Sequence, residues 1–312
     1  MRANKQHSIR KDVRIEGIGL HSGKMAVLII KPALPNTGIL FIRTDLKDPV
    51  SIPASFEFVT QTKLATTLGR FSNGASIQIS TVEHLLSAFK LLGIDNAVVE
   101  VNGPEVPIMD GSAAAFCELI AEAGLYEQAV SKKVAVLKKR IEVRKGDKIA
   151  MIEPSNRLRI EARVEWNHPS IGKQSCDFTV GESDFREIAM ARTFGFLKDV
   201  EQLQKMGLAR GGSLDNAVVL DDVRVLNKDG LRYHNEFVRH KILDAIGDFA
   251  LAPHTILGDV LLVKAGHELH AELVHAIFSD PSNYEIKTVD EVNDSAEALF
   301  GSPWLTASLQ SY

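Results

Sequence analysis

SIQISTVEHLLSAFKLLG, residues 76–93, changes its apolar period half-way along. Residues 76–80 alternate polar and apolar side chains, the pattern of a half-buried strand. From Thr81 the spacing becomes helical. Val82, Leu85, Leu86, Phe89 and Leu92 form one stripe, with Thr81 placed to cap its start and Gly93 to close it. A strand running directly into an amphipathic helix points to an α+β fold.

The same order extends outward in both directions. Upstream, residues 25–30 and 39–42 are short apolar segments set apart by Pro32, Pro35 and Gly38. Downstream, AVVEV at 97–101 reads as a strand, and MDGSAAAFCELIAEAG as a second helix starting near Asp110 or Ser112. The charged stretch 127–139 reads as a linker plus the first strand of a second unit. Strands at 138–143, 149–153 and 158–164 then precede helices near 184–192 and 236–251. A strand at 259–264 and a helix at 268–278 follow. The polar tail after Asp280 is expected to be loosely held. The expected fold is therefore α+β with two similar domains, 1–128 and 129–281, each of small β-sheets packed on α-helices, and a tail at 282–312.

Composition narrows the class. With 312 residues, 45% hydrophobic and 24% charged, the chain can bury a sizeable core without staples. A net charge of −4 gives no global pull toward nucleic acid or an anionic membrane. The two cysteines, Cys117 and Cys176, form no CxxC pair, which argues against a disulfide framework or thiolate zinc and for the reducing cytoplasm. The polar, basic MRANKQHSIRKDV has no apolar stretch behind it, unlike a secretory signal, and apolar runs such as 26–30 and 260–263 are too short to span a bilayer. No GxGxxG or GxxxxGK[ST] occurs.

Four stretches could carry chemistry. FVRHKILDAIGD, 237–248, places His240, Asp244 and Asp248 four residues apart on one helix face, behind a core stripe that includes Phe237, Ile242 and Ile246. A His and an Asp at that spacing can share a metal ion, but a bare HxxxD also suits an ordinary surface pair. TVEHLL sets Glu83 beside His84 at a helix start, as a base beside a metal ligand or as a first-turn Glu favoured by the helix dipole. KAGHELHAELVHA offers His267, His270 and His275. His267 follows a glycine after a strand, a common catalytic position, whereas His270 and His275 read as solvated helix positions; a further metal site from His267 and His270 is the lesser alternative. ARTFGFL, 191–197, offers the Thr193 hydroxyl as an oxyanion donor beside Phe194 and Phe196, or a core strand edge. GIGLHSG, 17–23, brings His21 among glycines, either toward a ligand or in a tight turn.

Taken in order, TVEHLLSA, EVPIMDGSAAAF, ARTFGFL, GGSLDNAVVLDD, RHKILDAIGD and KAGHEL resemble the UDP-3-O-acyl-N-acetylglucosamine deacetylases, zinc enzymes of lipid A synthesis, over residues 9–278. The resemblance implies two similar α+β domains, each with an insertion bordering the active site, near 41–67 and 195–226. It implies one zinc ion per chain on His84, His240 and Asp244, with ferrous iron as an alternative. By the same resemblance Glu83 is the general base, His267 the general acid, Asp248 its orienting partner and Thr193 the oxyanion donor. Lys241 would contact the UDP-sugar, and Phe194, Leu64, Leu203, Ser213 and Val219 the acyl chain. His270 stands where the family often has Asn, and Ala65 where it often has Cys; neither touches the proposed chemistry. The implied protein is a cytoplasmic, monomeric deacetylase with a UDP-linked acylated amino sugar as its partner, no nucleic acid and no stable membrane insertion. Two rivals are a metal-free sugar-nucleotide binder and a zinc amidohydrolase of another N-acetylated sugar.

Overall fold

The computed structural model describes residues 4–72 and 74–300. Seven helices lie among them: α1 (Glu83–Leu92), α2 (Ala114–Ala123), α3 (Arg186–Ala189), α4 (Leu197–Lys205), α5 (Glu236–Phe249), α6 (His267–Phe278) and α7 (Val289–Phe300). The architecture is α+β, as the change of period at residue 81 suggests.

In the first half, five strands form one sheet in the spatial order Val13–Ile18, Met25–Pro32, Ala97–Val101, Ile39–Arg43, Val50–Pro53. Neighbours are antiparallel except Ile39–Arg43 against Ala97–Val101. In the second half, Thr255–Val263 is the hub of a seven-stranded sheet. It runs antiparallel to Lys148–Pro154 and parallel to both Lys133–Leu137 and Leu158–Trp166. Helices α1 and α5 pack on each other between these sheets. Leu85, Leu86 and Phe89 meet Val238, Ile242, Ala245 and Phe249 in a core continuous with residues of both sheets. Burial of these side chains is the main stabilising term, at about 25 cal/mol per Å² of apolar surface removed from water.

Several local expectations change. Thr81 is not the cap of α1. Its φ of 59° is left-handed, its hydroxyl donates to Glu105, and Val82 occupies the cap position. Residues 138–140 are a bend between Lys133–Leu137 and Ile141–Lys145, so 138–143 is not one strand. Most of the expected linker is itself a strand, Leu125–Ser131, paired with Lys5–Ile9. The helix expected over 184–192 is a single turn, α3. The segment after Asp280 is tied down: Tyr284–Thr288 pairs antiparallel with Lys133–Leu137, completing the sheet edge. Residues 301–312 of the tail lie outside the described residues.

The first insertion does not begin at Phe41, which is fully buried in the five-stranded sheet. What stands outside that sheet is a three-stranded one, Val59–Gln61, Thr67–Ser72 and Ala75–Ile79. The second is a small parallel unit: Phe194–Phe196 pairs with Val218–Leu220, and α4 lies between them in sequence.

Candidate active site

The chemistry-bearing residues converge where the first turn of α1 meets the middle of α5. Gly247 makes this approach geometrically feasible. A Cβ there would overlap the carbonyl oxygen of Glu83, so only glycine lets the two helices come this close. Glu105 fixes the entry to α1 by accepting from the Thr81 hydroxyl at 3.0 Å and from the backbone N–H groups of His21 and Ser22 at 2.8 and 2.7 Å.

His84, His240 and Asp244 are buried, and their ligand atoms lie within 4.8 Å of one another. Nε2 of His240 and Nε2 of His84 stand 3.3 and 3.6 Å from the same Asp244 oxygen, Oδ1. These distances exceed ordinary hydrogen bonds. They suit ligand atoms around a tetrahedral ion, which at about 2.1 Å from the metal are spaced by roughly 3.4 Å. Nδ1 of His240 is 3.0 Å from the Ala191 carbonyl, which would take its proton and leave Nε2 as the ligating lone pair. Burial, followed by nearby His84 and Lys241, pushes His240 down to about 3, so the ring is neutral. Burial alone would raise Asp244, but His240 and Lys241 hold it well below the usual carboxylate range. The donor set fits a zinc-type ion.

Glu83 and His267 face this cluster. Glu83 Oε2 accepts from the Thr66 backbone N–H at 3.1 Å, and Oε1 lies 3.9 Å from His267 Nε2. Burial raises Glu83 to about 7 against the pull of His267 and His84. Burial would lower His267, yet the Asp248 carboxylate, 2.8 Å from Nδ1, overrides it and raises the imidazole to about 9. Asp248 also accepts from the Thr66 hydroxyl at 2.5 Å and contacts His270 Nδ1 at 2.8 Å. It is held at about 2 despite its burial.

His270 is therefore not solvated: it is fully buried against Asp248, while His275 is exposed. Asp248, His267 and His270 also lie within 4.8 Å of one another, but their 2.8 Å separations are hydrogen-bond lengths.

A cavity of about 710 Å³ opens over these groups. Thr193 lines it, with its backbone N–H bound to the Gly111 carbonyl at 2.7 Å and its own carbonyl to Val218 N–H at 2.8 Å. Its hydroxyl has no partner among the described residues. Lys241 lines it too, with Nζ 2.7 Å from Asp244 Oδ2 and 5.6 Å from the centre of the Phe194 ring. Phe194, Leu64, Leu203, Ser213 and Val219 all belong to the wall. Phe194 packs edge-on against Trp166 at 5.3 Å. Leu64 is half exposed at the wall with a left-handed φ of 67°. His21 reaches the wall as well, its Nε2 buried and without a hydrogen-bond partner.

Sequence reasoning missed Thr66, Glu105, Trp166 and Gly247. Thr66 and Glu105 act through contacts far apart in sequence, and Trp166 looks like any strand-end residue. Gly247 alone left a trace, as a glycine in the interior of a strong helix pattern.

A family model described as UDP-3-O-acyl N-acetylglycosamine deacetylase matches residues 6–279. A protein of Myxococcus xanthus named UDP-3-O-acyl-N-acetylglucosamine deacetylase is 52% identical over 282 residues, 90% of this chain and 88% of its own. Proteins of the same name from Mannheimia succiniciproducens and Pasteurella multocida are 47% and 45% identical over 290 residues, 92% of this chain and 94% of theirs.

Proposed function

The chain belongs to the UDP-3-O-acyl N-acetylglycosamine deacetylase family, and from that premise we propose how its residues perform the reaction. The enzyme hydrolyses the N-acetyl group of UDP-3-O-acyl-N-acetylglucosamine, in lipid A biosynthesis, to acetate and a free amine. An acetamide is a poor electrophile and an amine a poor leaving group. The site must therefore activate water, stabilise an oxyanion and protonate nitrogen.

His84, His240 and Asp244 would hold the metal, one zinc ion per chain, with ferrous iron as the alternative that a His₂Asp set also suits. Bound there, it would supply Lewis acidity, acidifying a water and polarising the acetyl carbonyl. Glu83 takes the proton from the attacking water. The Thr193 hydroxyl donates to the oxyanion that attack creates. His267, charged against Asp248, gives the proton from Nε2 to the departing nitrogen as the C–N bond breaks. Lys241 contacts the sugar nucleotide, and the wall formed by Phe194, Leu64, Leu203, Ser213 and Val219 takes the acyl chain.

The observation that carries this reading is the buried Glu83–His267 pair, 3.9 Å apart, with proton affinities at about 7 and about 9. Between those values one is a base and the other an acid, as the reaction requires.

The two α+β units meet at the site. Glu83 and His84 come from the first, and the other proposed ligands and His267 from the second. Residue 128 falls inside Leu125–Ser131, so the first unit is better extended to the end of that strand. All five groups come from one chain, which supports a monomer. Both cysteines are free, which suits the cytoplasm. No helix among the described residues is long and apolar enough to cross a membrane.

The test of substrate class is acetate release from the UDP sugar with and without its 3-O-acyl chain. Turnover that depends on the chain supports the reading; equal turnover favours a general N-acetylsugar amidohydrolase.

A further inference from the structure

A second cavity, of about 400 Å³, lies at the far end of α1 and α5 and shares no lining residue with the catalytic pocket. Its apolar lining includes Leu86 and Phe89 of α1 and Phe249 of α5. Lys90, Lys132, Lys133 and His254 also line it, against a single carboxylate, Asp95. This density of basic groups contrasts with the net charge of −4 on the whole chain.

Among the basic groups lining the cavity, Lys132 alone meets a carboxylate among the described residues. Asp95 pairs with Lys132 at 3.0 Å and accepts from the His7 backbone N–H at 2.9 Å, so it is already engaged. The Lys90 ammonium meets the Thr255 hydroxyl and no carboxylate within ion-pair reach among the described residues. An ammonium has three donors to satisfy, and Lys90 is half-buried, which makes the lack of an anion costly. Burial and neighbouring Lys132 accordingly bring Lys90 down to about 8. The side chains of Lys133 and His254 make no hydrogen bond or ion pair among the described residues. Three lysines less one aspartate leave two positive charges around one cavity.

We infer that this cavity binds a small soluble phosphate ester, with the phosphate held by Lys90, Lys132 and Lys133 and the organic part against Ile39, Pro53 and Pro253. A phosphate monoester carries close to two negative charges at neutral pH, which matches the excess. The cavity is within the size range of small-molecule sites. Charge-assisted bonds to its oxygens would satisfy the donors that Lys90 now lacks partners for.

Calorimetric titration of the intact, metal-loaded protein with phenyl phosphate tests the site. Saturable binding is expected, weakened about ten-fold or more by Lys90→Met and by Lys133→Gln. It should persist in Lys241→Ala, which removes the proposed sugar-nucleotide contact of the catalytic pocket. Lys133 is exposed, so its substitution remains informative if Lys90→Met fails to fold. Absence of saturable binding to the wild type, binding that survives Lys133→Gln unchanged, or binding lost in Lys241→Ala would each overturn the proposal.

Discussion

Nε2 of His267 lies 3.9 Å from Oε1 of Glu83, and the two groups are shifted so that a proton rests on the histidine and not on the carboxylate between about pH 7 and 9. Burial raises Glu83, while Asp248 raises His267 past the effect of burial. Groups whose environments push their proton affinities apart are suited to divide base and acid work.

The pH–rate profile of kcat/KM should therefore be a bell. Activity rises as Glu83 loses its proton and falls as His267 loses its own. The values of about 7 and about 9 are upper bounds for the limbs, because a bound dication favours the deprotonated form of each. Glu83→Gln and His267→Ala should each lower turnover about 10²–10⁴-fold, with the matching limb lost. Near-normal turnover in either variant would remove that residue from its role.

Asp248→Asn should move the basic limb to lower pH. Without the carboxylate, burial is left to depress His267, and the imidazole loses its charge earlier. A purely structural Asp248 would lower activity at every pH and leave the limb in place.

Gly247→Ala should disturb the site without touching a reacting group. The added methyl must push α5 away from the Glu83 carbonyl. Overpacking of this kind costs about 1–3 kcal/mol. Both a lower thermal midpoint and a fall in kcat are expected. A variant with wild-type values for both would mean that the helices have slack at this contact.

Leu203→Trp should narrow the acyl wall. Preference for a long 3-O-acyl substrate over a short one should fall by about ten-fold or more, since apolar pockets discriminate on this scale per lost contact. An unchanged preference would place the acyl chain elsewhere.

The local structure was legible in sequence because its parts are local, whereas the roles of these residues came from the family resemblance. The four-residue spacing of His240, Asp244 and Asp248 survives any tertiary context, and α5 runs Glu236–Phe249 as its apolar stripe suggests. Glu83 and His84 follow a change of period, and His267 follows the glycine that begins α6. What stayed hidden depends on partners distant in sequence. His270 looks solvated until Asp248, 22 residues away, is brought against it. Thr81 looks like a cap until Glu105 claims its hydroxyl. Tyr284–Thr288 looks like a polar tail because a sheet edge needs only alternate apolar contacts, and its partner strand begins about 150 residues earlier.

The metal requirement is the central claim, and acetate release during zinc add-back to chelator-treated protein tests it most directly. Turnover should be lost on chelation and return in proportion to added zinc up to about one equivalent per chain, as expected for a single His₂Asp site. Undiminished acetate release from the metal-free protein would contradict the assignment of His84, His240 and Asp244 as ligands of a catalytic ion.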